Sequence, residues 1–68
     1  MDRRSIEFVR DLVITIHENI RELKERQNFA DLEERSYIDG KLQAYNEVLS
    51  ALRSGTIEFG ISSSELGL

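Results

Sequence analysis

Six apolar residues, Ile6, Val9, Val13, Ile16, Ile20 and Leu23, follow one another at steps of three, four, three, four and three. This is the heptad seam of an amphipathic helix, in which every third or fourth side chain returns to one face. A strand has a period of two and would scatter these residues over both faces. Nothing forces a break in such a helix, because the chain contains no proline, the residue that lacks the backbone donor and clashes with the preceding turn. Asp2 or Ser5 supplies a capping oxygen at the start. The polar run Lys24-Glu25-Arg26-Gln27-Asn28 marks the end, and its basic members suit a helix C-terminus. A first helix is expected over about residues 3–27.

The pattern restarts almost at once. Asn28, with Asp31 three residues on, or Asp31, with Glu34 three residues on, can open a second helix. Ile38, Leu42, Tyr45, Leu49 and Leu52 form its seam, and Tyr37, Ala44, Val48 and Ala51 form a parallel stripe beside it. Gly55, after Arg53-Ser54, is the expected stop. The second helix therefore spans about residues 30–54. Two helices of matched length joined by a short connection are antiparallel neighbours. The fold class is all-α: an antiparallel helical hairpin over residues 1–55, followed by a tail over 56–68. In the tail, Ile57, Phe59 and Ile61 alternate with Glu58, Gly60 and Ser62. That period of two predicts a short extended strand suited to docking on a partner by strand addition. Ser62-Ser63-Ser64-Glu65 then opens one helical turn ending at Leu66-Gly67-Leu68.

At 68 residues the chain is one domain at most. A core this small supplies only about 3–5 kcal/mol, so such folds usually carry a staple. There is no cysteine, which removes disulfides and thiolate metal sites and leaves a second chain as the economical staple. The apolar surplus agrees. Phe8 and Leu12 lie outside the first seam, and the second helix carries a whole extra stripe. A homodimer forming a four-helix bundle is expected, with a monomer whose exposed face binds something else, or a higher oligomer, as the alternatives. Its interface is assigned to Phe8, Leu12, Ile16, Tyr37, Ala44, Tyr45, Val48 and Ala51. The tail residues Ile57, Phe59 and Ile61 are assigned to a partner or to the bundle itself.

Chemistry is sparse. His17 is the only histidine, and the residue three before it is Ile14, so the Glu-x-x-His pair of bundle metal sites is missing. Glu22 with Glu25 and Asp31 with Glu34 are spaced like magnesium-binding carboxylates, but they crowd the turn among Lys24, Arg26 and Arg35. That arrangement reads as solvated ion pairs. No nucleophilic triad and no glycine-rich phosphate loop is present. With a net charge of −4 and a pI near 4.9, nucleic acid is disfavoured as a partner. No apolar run reaches the ~18–20 residues that span a bilayer, and Met1-Asp2-Arg3-Arg4 lacks the apolar core of a signal peptide. The expectation is a cytoplasmic protein without cofactor or metal, not an enzyme, acting by protein–protein contact.

The stretch Arg35-Ser-Tyr-Ile-Asp-Gly-Lys-Leu-Gln-Ala-Tyr-Asn-Glu-Val-Leu49 resembles the second helix of short, uncharacterised helical-hairpin proteins of bacteria and their phages. They share the mid-helix Gly-Lys or Gly-Gln, the Ala-Tyr and the following Leu. The resemblance covers about a quarter of the chain and implies a hairpin fold and a phage or bacterial setting. A regulator of a larger bacterial protein is one function in keeping with it, and a self-assembling structural module is the alternative. In size and shape the chain is also similar to the helical-hairpin aspartyl-phosphate phosphatases of sporulation. Their Ser-Gln-Glu-Leu-Asp motif is not matched by Ser63-Ser64-Glu65-Leu66-Gly67, so that activity does not carry over.

Overall fold

A computed structural model describes residues 2–68. The first seam folds as α1, Arg3–Gln27. Asp2 caps it, its side chain accepting from the Ser5 amide at 2.8 Å. That hydrogen bond, with the Ser5 hydroxyl second, holds the Asp2 carboxyl below its usual value of 3.8. The second seam folds as α2, Leu32–Glu58. Of the two candidate caps, Asp31 is the one used, accepting from the Glu34 amide at 2.8 Å. Asn28 instead closes α1, its amide reaching back to the Glu25 carbonyl. The turn is braced on both sides: Arg26 pairs with Glu34, and the Gln27 amide donates to Asp39 at 2.6 Å.

α2 does not stop at Gly55. It runs past it to Glu58, because the seam of Ile38, Leu42, Tyr45, Leu49 and Leu52 continues into Thr56, one step of four further. Thr56 is buried and its polarity is satisfied. Its hydroxyl donates to the Arg53 carbonyl at 2.6 Å and lies 3.1 Å from the Ser63 hydroxyl. The stop is Gly60, whose φ of +66° is left-handed backbone open to glycine at little cost.

This overturns the expected strand. Ile57 belongs to the last turn of α2, Phe59 is its C-terminal cap and Ile61 begins the return loop. No strand forms among the described residues. The helical turn expected after Ser62 is present as a short 3₁₀ segment, η1, Ser63–Leu66. η1 folds back on α1. Leu66 is buried, the Arg10 guanidinium donates to the Glu65 carbonyl at 2.8 Å, and Leu68 packs on the core.

The core is Val13, Ile16 and Leu49, with Val9, Ile20, Tyr45, Leu52 and Leu68 packed around it. Ile38 is buried nearer the turn, and Ala30 is buried in the turn itself. Each of the larger side chains contributes about 1.5–3 kcal/mol on burial. The molecule measures 44 × 19 × 14 Å. A helix with its side chains is about 10–12 Å across, so the hairpin is one layer thick. Domains normally bury their apolar faces between two layers.

Candidate protein interface

The register between the helices follows from three observations. Arg26 meets Glu34, the Asn19 amide meets the Tyr45 hydroxyl at 3.3 Å, and Val9 lines one depression with Ala51 and Leu52. Moving along the hairpin from those points, Phe8 lies level with Ala51 to Gly55, and Leu12 level with Val48 to Ala51. Successive side chains turn by about 100° around a helix. Phe8 and Leu12 therefore sit roughly a quarter-turn from the α1 seam. Tyr37, Ala44, Val48, Ala51 and Gly55 sit a quarter-turn from the α2 seam. Because the helices are antiparallel, these two flanks fall on the same side of the hairpin.

That side has an apolar half and a polar half. In the half remote from the turn, Phe8 is 72% exposed and Leu12 and Val48 each 45%. Beside them lies a depression of about 170 Å³, lined by Val9, Ala51, Gly55, Phe59, Ile61 and Leu66. Phe59 is itself largely exposed. In the half near the turn the same side is polar. Asn19, Glu22, Arg26, Lys41 and Tyr45 line a depression of about 280 Å³, and the Lys41 ammonium sits 5.0 Å from the centre of the Tyr37 ring. The opposite side carries Ile14 as its one large exposed apolar residue near mid-helix, between Arg10, His17 and Arg21 on the helix surface.

The expected interface residues thus divide. Phe8, Leu12, Tyr37, Ala44, Val48 and Ala51 are exposed on one side of the hairpin. Ile16 is not available there: it is core. Tyr45 packs against that core and is held by Asn19. Of the tail residues, Phe59 and Ile61 contribute to the apolar depression. Ile57, 83% exposed, falls on the opposite flank of α2 and takes no part.

Two large apolar residues at the turn escaped the sequence reading. Phe29 is 89% exposed and Leu32 81%. Between them the small Ala30 is turned inward. Folding of one chain alone favours the reverse arrangement, with the large residues inside. The available signal was an Asn-Phe-Ala-Asp-Leu run between two polar stretches, with neither apolar residue belonging to a seam.

The described residues contain no group of three or more His, Cys, Asp or Glu placed to hold a metal ion, and His17 is exposed. The Glu22, Glu25, Asp31 and Glu34 carboxylates do not converge. Asp31 caps α2 and Glu34 is committed to Arg26. Among the described residues, no helix is long and apolar enough to cross a membrane. Neither a scan against protein-family models nor searches of curated proteins and of solved structures found a match.

Proposed function

We propose that the chain is a non-enzymatic protein-interaction module whose working unit is an oligomer of hairpins, in the first instance a dimer forming a four-helix bundle. The observation carrying this reading is the coincidence of the Phe8–Leu12 and Val48–Ala51 flanks on one side of a single-layer fold. The exposed area supports it. The chain exposes 5225 Å², whereas a folded monomer of 7.9 kDa exposes about 4,400 Å². The excess of about 800 Å² matches one partner's share of a standard interface.

A separate partner, beyond the second copy, is favoured over a purely structural module by Phe29 and Leu32. They lie at the turn, at the far end from the apolar half of the interface, and self-association on that side leaves them free. In this reading the dimer is the scaffold, and its tips carry the contact to a larger protein, as a small regulator would.

The test compares Phe8→Glu with Ile14→Glu by light scattering, with helix content followed by circular dichroism. Phe8→Glu is expected to yield a monomer and Ile14→Glu to keep the native mass. Equal behaviour of the two variants overturns the assignment of the face.

A further inference from the structure

From the register and charge order of this face we infer how the second copy sits, an inference that rests on the oligomer reading above. The two-fold axis runs parallel to the helices, so that α1 of each hairpin lies against α2 of the other and both turns point the same way. Two features of this face, its shape and its charge order, select this arrangement over the one in which α1 meets α1 head to tail.

The first is shape. Large residues stand on α1 and small ones stand level with them on α2. Phe8 is level with the step from Ala51 to Gly55, where a β-carbon added at Gly55 would meet nothing within 4 Å. With the axis parallel to the helices, each Phe8 enters the notch between the partner's Ala51 and the partner's Gly55. With α1 on α1, Phe8 instead faces the level of Asn19 and Glu22, and its ring is set against polar groups.

The second is charge. Glu22 and Lys41 are at the same level and line the same depression, yet no ion pair joins them within the chain among the described residues; the ion pairs there are Arg3–Glu7 and Arg26–Glu34. Arg4 and Glu58 are likewise level with each other on the outer rim. The axis parallel to the helices sets Glu22 against the partner's Lys41 and Arg4 against the partner's Glu58, each twice over by symmetry. Opposite charge across an interface fixes register even where each exposed pair adds little affinity.

The chain contains no cysteine, so engineered thiols are the only ones present. Arg4→Cys, Arg26→Cys and Glu58→Cys chains are prepared separately, mixed in pairs at tens of micromolar and treated with a short bismaleimide, with the mass of each untreated sample measured in parallel. The Arg4→Cys and Glu58→Cys mixture is expected to give a covalent dimer containing one of each chain. Cross-linking of Arg4→Cys to Arg26→Cys in its place overturns the inferred axis while leaving the oligomer reading intact. So does a dimer by mass that cross-links in neither mixture. Monomer mass in every untreated sample overturns both. A charge exchange gives an independent reading: Glu22→Lys is expected to weaken self-association about fivefold, and adding Lys41→Glu to restore it. A double variant no better than the single one counts against the pairing.

Discussion

The side-chain amide of Asn19 donates to the hydroxyl of Tyr45 across the hairpin at 3.3 Å, and this hydrogen bond marks where one side of the hairpin changes from apolar to polar. Towards the termini the face is Phe8, Leu12, Val48 and Ala51. Towards the turn it is Glu22, Arg26 and Lys41. Tyr45 packs its ring against the core and engages α1 through its hydroxyl, so it ties the helices together.

Removing that tie has a defined cost. Asn19→Ala or Tyr45→Phe is expected to lower stability by about 1 kcal/mol, the net value of a typical hydrogen bond. The double variant is expected to lose little more than either single one, because both remove the same interaction. Urea unfolding of the three variants measures it.

The start of α2 depends on Asp31 and not on Asn28. Asp31→Ala is expected to cost about 1 kcal/mol through the lost cap, and Asn28→Ala less than half of that. Thermal unfolding of the two variants side by side separates the two candidate caps.

The cap of α1 carries a pH dependence whose sign follows from Asp2. Its carboxyl sits below the ordinary 3.8 because the Ser5 amide bonds the ionised form. Its contribution is therefore complete above pH 3.8 and is lost as pH falls through the lower folded value. The gap in midpoint temperature between the native chain and Asp2→Ala is expected to be constant from pH 7 to about 5 and to close only below 3.8. A gap that widens on acidification contradicts this account of the cap.

Gly55 separates the fold from the assembly. Inside α2, with open space around it, a larger residue is tolerated by the single chain, and helix propensity favours it by up to ~1 kcal/mol. Gly55→Leu is nevertheless expected to weaken self-association at least tenfold by filling the notch that receives the partner's Phe8. Circular dichroism and sedimentation on the same sample read the two effects apart.

Phe29 and Leu32 are expected to be dispensable to both fold and dimer. The double change Phe29→Ser with Leu32→Ser should shift stability by no more than about 0.5 kcal/mol, as exposed positions usually do, and leave the mass unaltered. A loss of several kcal/mol would show that the tip is structural and not a free contact.

Much of this fold was legible in the spacing of apolar residues. The seams name Val13, Ile16, Ile38 and Leu49, all of which are buried, and α1 has the bounds its seam and caps predict. What was not legible lies where one residue serves two patterns. Ile57, Phe59 and Ile61 do alternate, but three residues cannot outweigh a seam that continues through Thr56. That continuation was hidden because Thr56 is polar by composition and is buried only with Arg53 and Ser63 as partners. Ile16, expected at an interface, is a seam residue, and the seam decides its position in the core. The tail joins the core through Leu68, which packs on the Val13, Ile16 and Leu49 cluster in a long-range contact that no local pattern announces; a β-carbon added at the left-handed Gly67 beside it would lie 3.8 Å from a methyl of Val13. Removing everything after Ser54 therefore uncovers the core rather than detaching a free docking arm.

The central claim is that this side of the hairpin is covered by a second copy. Sedimentation equilibrium of the native chain at tens of micromolar tests it most directly. A mass twice the 7.9 kDa of one chain is expected, falling to that of one chain in Phe8→Glu. A native chain that stays at 7.9 kDa throughout that range, fully helical, contradicts it.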